Sequence, residues 1–151
     1  WEFQIAGEAF GGLAAAIERG ALAGEDGDLA LGCVGEFDGD GELRLADQPY
    51  DSKVAGVISG ANGLNPGMVM KATDAAHADG NHPVAMTGRV WCYVDASFGA
   101  IKPGDRLTTS PTPGHAMLSS DSARADGAVI GKAMTELKEG KGLVLILVNL
   151  Q

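Results

Sequence analysis

Four side chains that can bind a metal ion lie close together near the middle of the chain. Two aspartates and two histidines fall within nine residues, namely Asp74, His77, Asp79 and His82. Imidazole nitrogens and carboxylate oxygens at such short spacing are ligands that zinc accepts. The surrounding segment is small, polar and rich in turn formers, and aspartate and histidine are ordinary residues of exposed loops. We therefore predict an exposed loop over 73–83, with no bound metal and no cofactor.

A second acidic pattern, DGDGE at 38–42, is similar to the start of a calcium-binding loop. A complete EF-hand needs a bidentate glutamate further along and a helix on either side, and the sequence supplies neither. Aspartate and glycine tolerate positive φ, so the pattern is typical of a β-hairpin turn. We predict a hairpin whose strands are 28–37 and 42–46.

Candidate nucleophiles are present without the sequence context of a catalytic site. Four serines are candidates, namely Ser59, Ser110, Ser119 and Ser120. None of the four lies in the Gly-x-Ser-x-Gly elbow of a hydrolase. Cys92 could act as a nucleophile beside a histidine. Strand alternation in VWCYV places it on the face opposite Trp91 and Tyr93, which predicts a buried structural thiol. Cys33 and Cys92 could instead form one disulfide, but a chain of 151 residues does not require one.

Charge and composition exclude several classes of partner. The chain carries 20 acidic and 11 basic residues, a formal charge of −9. Nucleic acids and anionic membrane surfaces both attract clustered lysine and arginine, so neither is an expected partner. No run of 18 apolar residues occurs, which predicts no membrane insertion. Glycine is abundant, at 23 residues, which favours a globular chain with many turns and short strands.

Two regions of the chain differ in their patterning. Residues 1–24 are predicted to form a strand, WEFQIAGEAF, followed by a short helix over 11–23. Residues 25–151 contain alternating or β-branched segments separated by Gly, Pro and Asp turns, which is typical of a β domain. The last apolar run, LVLILVNL, is predicted to be a central strand buried on both faces. Together the two regions are expected to form one globular unit.

A Gly-Asp pair comes before a strand at two places, Gly27-Asp28 and Gly104-Asp105, which are 77 residues apart. Glycine permits a tight bend, and the aspartate carboxylate can accept nearby backbone N–H groups. A hairpin turn and a Val/Ile-rich strand follow in both places, with Pro113-Gly114 as the second turn. His115 is expected to be a turn or interface residue. The repeat predicts a mainly β fold, namely a pseudo-two-fold, barrel-like domain built from two Gly-Asp-turn repeats, with one short N-terminal helix.

Several stretches resemble the C-terminal β domain of bacterial and phage fibre-like and surface proteins. They are YDSKVAGVISGANGLNPG, HPVAMTGRVWCYVDASFGAIKPGDRLTTSPTPGHAM, GAVIGKAM and EGKGLVLILVNLQ. In this order they cover most of residues 25–151, and they are similar to the peptidase G2 type, an intramolecular chaperone that cleaves itself. The resemblance implies a β domain at the end of a multimeric fibre. It places no catalytic residue on this sequence.

The function expected from residues and resemblance together is structural. The chain is expected to be a non-catalytic assembly domain of an extracellular fibre, phage appendage or surface filament, and to be extracellular or virion-associated. Its partner is expected to be itself, as a homotrimer or filament subunit. One alternative is an autoproteolytic intramolecular chaperone that releases itself from an upstream fibre. A second alternative is a carbohydrate-binding fibre tip.

Overall fold

A computed structural model describes residues 32–37, 43–58 and 84–151, and these residues are mainly β structure. Half of them are in strands and 3% are helical, so the β class predicted from the sequence is confirmed. The helix expected over 11–23 and the strand expected over 1–10 lie outside the described residues. The strands are β1 Val34–Phe37, β2 Leu43–Leu45, β3 Val54–Ile58, β4 Val84–Ala85, β5 Thr87–Asp95, β6 Arg106–Thr109, β7 Ala116–Leu118, β8 Val129–Ala133 and β9 Lys141–Asn149, with a 3-10 turn at Ala96–Phe98.

The strands form two sheets. The first has the order β2-β1-β3-β4. The second is ring-like, in the order β5-β7-β6-β8-β9, and β9 pairs back onto β5 over nine residues. A single parallel residue pair, Val94 with Ala116, joins β5 to β7. The chain passes from the first sheet to the second at Met86, which lies between β4 and β5.

The main core lies inside the ring-like sheet and continues to residues of the first sheet such as Val34, Val57 and Ala85. Alternate residues of β5 and β9 point inward and are buried, because successive side chains of a strand point to opposite faces. The fully buried apolar residues on these and neighbouring strands include Cys92, Val94, Leu107, Ala116, Ile130, Val144 and Ile146. The first sheet and Tyr93 enclose a smaller cluster around Cys33 and Ile58.

Strand β9 departs from its prediction as a strand buried on both faces. It lies between β5 and β8 in the sheet, so it is central in its hydrogen bonding. Its inward residues Val144, Ile146 and Val148 are buried, whereas Leu147 is 45% exposed and Leu145 is half-buried. The prediction was wrong because a run of Leu and Val does not reveal whether anything covers the outer face.

The two sheets contain the same three-strand pattern. In the first sheet β1 pairs antiparallel with both β2 and β3, and in the second β6 pairs antiparallel with both β7 and β8. The register shifts once in each pattern, between Gly35 and Glu36 and between Leu107 and Thr108. The residue before each shift lies opposite a glycine, Gly56 on β3 or Gly131 on β8.

Hydrogen bonds at the start of each pattern are also the same. The Gly32 amide donates to Ile58 O and the Gly104 amide to Ala133 O, both at 2.8 Å. Both glycines have positive φ, 86° and 94°. In this register the equivalent of Gly104-Asp105 is Gly32-Cys33, five residues after the pair chosen from the sequence. Gly27-Asp28 itself lies outside the described residues.

Candidate functional site

Several buried polar residues, including Asp51, Thr109, Ser110 and His115, lie where the connection after β2 packs against the hairpin of β6 and β7. We call this region, residues 46–53 with 109–124, the seam. The Gly114 amide donates to Ala46 O at 2.8 Å, and Gly114 O accepts from the Val34 amide at 2.9 Å. The Asp51 amide donates to Thr109 Oγ1 at 2.8 Å. Gly114, in the predicted Pro113-Gly114 turn, has φ 69°, and a Cβ added there would lie 3.1 Å from Leu45 Cδ2 and 3.2 Å from Cys33 Sγ. The seam therefore joins the two sheets through backbone groups.

Tyr50 closes one end of the seam. Its hydroxyl oxygen accepts hydrogen bonds from the amides of Ser120, at 3.0 Å, and Asp121, at 2.9 Å. Arg124 stacks 4.6 Å from the ring centre and donates to Pro49 O. Burial opposes ionisation of the phenol, but the hydrogen bonds from Ser120 and Asp121 outweigh it and lower the pKa of Tyr50. Tyr50 has φ 59°, an uncommon conformation that these contacts hold in place.

Glu36 is a buried carboxyl group on β1. Its side chain is fully buried and forms an ion pair with Arg44, while Lys53 lies 4.0 Å from Glu36 Oε1 and 3.8 Å from Asp51 Oδ2. Burial raises the pKa of Glu36, and the neighbouring Asp51 carboxyl raises it further against the opposing effect of Arg44. A carboxyl group with a raised pKa beside a second one can hold or release a proton, which is the basic requirement for general acid–base chemistry.

Replacing Glu36 with glutamine is expected to change how stability depends on pH. The folded-state pKa lies above the ordinary value of 4.5. The protonated group therefore contributes stability that is complete below that value and is lost as the pH rises through the folded-state pKa. The Tm of wild type minus the Tm of Glu36→Gln should therefore decrease as the pH is raised from about 4.5, because only the wild type loses this contribution. A pH series of thermal unfolding measures it, with the exposed Glu136→Gln as control. An equal pH dependence in wild type and Glu36→Gln would contradict this prediction.

Asp95 is a buried carboxylate at the end of β5 whose contacts are structural. Oδ1 accepts from the Ser97 amide at 2.9 Å, Oδ2 accepts from Thr112 Oγ1 at 2.7 Å, and Lys141 Nζ lies 4.0 Å away. Burial opposes ionisation, but the hydrogen bonds from Thr112 and Ser97 lower the pKa of Asp95 overall. The ionised group therefore stabilises the fold above its ordinary value of 3.8, and this contribution is lost as the pH falls through the folded-state pKa.

The candidate nucleophiles that the structure describes are buried or hydrogen-bonded to the backbone. Cys33 and Cys92 are separate buried thiols, so the alternative of a disulfide between them is not formed. Burial raises the pKa of the Cys92 thiol, which disfavours the reactive thiolate. The Ser110 hydroxyl donates to the carbonyls of Thr112 and His115. His115 is buried, with Nδ1 2.8 Å from Pro113 O and its ring against Tyr93.

Other candidates are described only in part or not at all. Ser120 lies at the seam, where its amide binds Tyr50, and Ser119 has a buried hydroxyl. Asp105 Oδ2 accepts from the Lys102 amide at 2.8 Å within its turn. Within the described ranges no group of three or more His, Cys, Asp or Glu side chains is placed to hold a metal ion. The remaining candidates lie outside the described residues, namely Ser59, Asp74, His77, Asp79, His82 and the DGDGE stretch at 38–42.

Sequence reasoning missed Tyr50 and Glu36 as residues with buried polar contacts. Tyr50 binds residues about 70 positions away, and no local pattern indicates such a contact. Glu36 carried a usable signal, because it is the one charged residue in the apolar and glycine-containing strand segment LGCVGEF, residues 31–37. A lone acid in such a strand indicates a buried charge that requires partners.

On the outer face of β9 the exposed side chain of Leu147 lies between two cations. Leu147 lies opposite Arg89 on β5 and Lys132 on β8, and directly opposed residues of a sheet point to the same face. The Met134 amide donates to Leu145 O, so Met134, which is 41% exposed, extends the apolar row beside Leu147. We call this surface, formed by Arg89, Lys132, Met134, Leu145 and Leu147, the β9 face.

Comparisons with known proteins leave these features to be judged from the structure alone. No family model, no curated protein and no solved structure matches the chain. The resemblance to peptidase G2-type fibre domains therefore stays a prediction. In the part of the chain that the structure describes, no helix is long and apolar enough to cross a membrane.

Proposed function

We propose that this chain is a non-catalytic assembly domain of an extracellular fibre, phage appendage or surface filament, which acts by packing against identical copies. The β9 face is the observation that carries this proposal. Leu147 is a large apolar side chain exposed on β9, a strand whose backbone is hydrogen-bonded on both sides. Met134 is a second exposed apolar side chain, on the segment that follows β8 and hydrogen-bonds to Leu145 of β9. Exposed apolar groups on a rigid sheet are a feature of surfaces that associate with other proteins.

We also infer that the domain is a pseudo-two-fold, barrel-like unit in which one three-strand pattern occurs twice. The matching pairings of β1 with β2 and β3, and of β6 with β7 and β8, support this. So do the equal hydrogen bonds of Gly32 and Gly104 at the start of the two patterns. A ring-like sheet leaves few free strand edges, which suits a subunit that should associate through side chains rather than by uncontrolled edge pairing.

The polar groups of the seam and of the end of β5 support a structural function rather than an enzymatic one. Asp95 and the hydroxyls of Tyr50 and Ser110 are each committed to backbone or hydroxyl groups that hold neighbouring segments together. Glu36 and Asp51 are a carboxyl pair that could move a proton. They are accompanied by Arg44 and Lys53, which offset their charge.

The energetics of assembly require a sizeable contact. The charge of −9 on each copy opposes association through repulsion. Apolar burial stabilises a contact by about 25 cal/mol per Å². A stable interface covers about 800 Å² on each partner, so the β9 face must form the centre of a larger surface.

Light scattering across a concentration and salt series tests the proposal. The expected result is a mass of three or more chains at micromolar concentration, maintained at high salt because screening removes the repulsion between copies. A mass of one chain at every concentration and salt level would overturn it. Intact-mass analysis of a longer gene product, run in parallel, tests the alternative: a cut at the border of this domain would favour the autoproteolytic chaperone.

A further inference from the structure

We propose that Glu36 and Asp51 share one proton in the folded domain, and that this proton acts as a pH-dependent latch on the seam between the two sheets. The inference goes beyond the proposed function, because it assigns the domain a regulatory device that operates within a single chain. Two features support it: the Glu36 carboxyl group is buried without enough hydrogen-bond donors, and Asp51 belongs to the seam.

Glu36 is a buried acceptor that lacks a donor. Its side chain is fully buried, and within the described ranges neither of its carboxyl oxygens accepts a hydrogen bond, although Arg44 forms an ion pair with Oε1. The carboxyl group of Asp51 lies within hydrogen-bonding reach of it. Two ionised carboxyl groups cannot hydrogen-bond to each other, because neither carries a hydrogen. One proton held between them supplies the missing donor and removes the repulsion between two like charges.

The cations near the pair are more exposed to water than the carboxyl groups are. In the part of the chain that the structure describes, Glu36 faces two cations and one carboxyl group, namely Arg44 on β2 with Lys53 and Asp51 on the connection, while β1 and β3 add no other titratable side chain. The side chains of Arg44 and Lys53 are 46% and 50% exposed, against 0% for Glu36 and 8% for Asp51. Water therefore weakens the attraction of the cations more than the repulsion between the carboxylates.

Titratable groups on the other side of the seam have other partners. Those of residues 106–124 are Arg106, which donates to Ser122, His115, which lies against Pro113 O, Asp121, which accepts from the Ala123 amide, and Arg124, which donates to Pro49 O. None of them contributes to the raised pKa of Glu36, which burial and the Asp51 carboxyl group produce against the opposing effect of Arg44. The titration at this end of the seam is therefore set by the carboxyl pair.

Asp51 connects the carboxyl pair to the seam. Its amide donates to Thr109 Oγ1 at 2.8 Å, and the preceding Tyr50 amide donates to Thr109 O at 3.3 Å. Its side chain closes the turn, since Oδ1 accepts from the Lys53 amide at 2.8 Å. The carboxyl group that faces Glu36 and the amide that binds β6 thus belong to one residue. Repulsion that displaces the carboxyl group therefore acts directly on the contact between the sheets.

The proton holds the latch closed at mildly acidic pH. The folded-state pKa of Glu36 lies above the ordinary value of 4.5, so the stabilisation by the protonated form is complete below that value and is lost as the pH rises through the folded-state pKa. The two carboxylates then repel each other and favour release of the connection from Thr109. The pKa of Asp95 is lowered, so the contribution of that residue is lost in the opposite direction, on acidification.

Carboxyl titration followed by carbon-13 NMR tests the shared proton. In wild type the Glu36 and Asp51 carbons should both report the same two titration steps, because an interacting pair titrates as a unit. In Asp51→Asn the pKa of Glu36 should move down toward its ordinary value, since the second carboxyl group no longer opposes ionisation. Asparagine retains an oxygen for the Lys53 amide, so the turn is preserved. An unchanged Glu36 titration in Asp51→Asn would overturn the shared proton.

Hydrogen exchange measured by NMR tests the latch. The Tyr50 and Asp51 amides, both bonded to Thr109, should be less protected than the Met134 amide, which donates to Leu145 O at 2.7 Å outside the seam. Their protection, corrected for intrinsic exchange rates, should fall further as the pH is raised above about 4.5. Equal protection of all three amides at each pH would show that only whole-domain unfolding responds to the proton. That result, or seam protection that does not change with pH, would overturn the latch.

Glu36→Gln is the decisive variant, because its amide donates a hydrogen bond to Asp51 at every pH. Seam protection in this variant should be independent of pH, whereas the control Glu136→Gln, exposed and outside the seam, should behave as wild type. Asp51→Asn serves the same purpose if Glu36→Gln does not fold, since asparagine can donate to Glu36 at every pH. Seam protection that still falls with pH as in wild type would place the titrating group elsewhere and overturn the proposal.

Discussion

Replacing Gly131 with alanine is expected to destabilise the domain by about 3 kcal/mol or more, the upper range for overpacking. Gly131 lies on β8 opposite Val148 of β9, and an added Cβ would be 2.1 Å from Leu147 O and 2.9 Å from Val148 Cα. Both neighbours are backbone atoms, so the strain can be relieved only by moving β9 away from β8. That movement would break the pairing of Gly131 with Val148.

Two glycines provide matched controls for this prediction. Gly104 and Gly140 have positive φ, and an added Cβ at either would meet nothing within 4 Å. Their alanine variants should therefore cost only the conformational strain of about 1–2 kcal/mol. Gly56, the counterpart of Gly131 in the first sheet, is predicted to resemble Gly131, since its Cβ would lie 2.4 Å from Ala85 O. Urea unfolding measures all four free energies of unfolding. A Gly131→Ala variant no less stable than Gly104→Ala would contradict the predicted packing of β8 on β9.

Truncating Ile146 to alanine is expected to cost about 2–5 kcal/mol, and Ile146→Val about 1 kcal/mol. Ile146 is fully buried in the centre of the ring-like sheet, on the strand that joins β5 to β8. Removing its outer carbons loses apolar burial and leaves a cavity that strands held on both sides cannot readily close. The expected loss is large compared with the total stability of a small domain, about 5–15 kcal/mol.

Urea unfolding at constant protein concentration measures this effect. Asn149→Ala provides the control, because Asn149 is on the same strand but exposed, and its substitution should change the free energy of unfolding by less than about 0.5 kcal/mol. Equal losses for Ile146→Ala and Asn149→Ala would show that Ile146 does not face a packed core.

Local patterns predicted much of the β structure. Alternation in VWCYV placed Cys92 on the opposite face from Trp91 and Tyr93, and Cys92 does point into the core of the ring-like sheet. The recurring order of strand, hairpin and strand reflects pairings found in both sheets. The sequence analysis aligned the two patterns on their identical Gly-Asp pairs, whereas the backbone at this position needs only a glycine with positive φ. The residues that match Gly104-Asp105 in hydrogen bonding are therefore Gly32-Cys33.

The polar contacts and exposed surfaces could not be predicted from the sequence, because they depend on which distant segments pack together. Hydrogen bonds such as that from the Asp121 amide to Tyr50 join residues 71 positions apart, so only the folded topology brings them together. The exposure of Leu147 likewise depends on what covers the outer face of β9. Its chemistry is the same as that of the buried Leu107, and only packing separates the two.

The register of β9 against its neighbours links the fold to the proposed function, because a slip of one residue would turn Leu147 inward and Ile146 outward. Cross-strand nuclear Overhauser contacts measured by NMR on isotope-labelled protein test it directly. The expected contacts place Leu147 opposite both Arg89 and Lys132, and Ile146 opposite Val90 and Ala133. Contacts that place Ile146 opposite Arg89 or Lys132 would contradict the register, the β9 face and the assembly built on it.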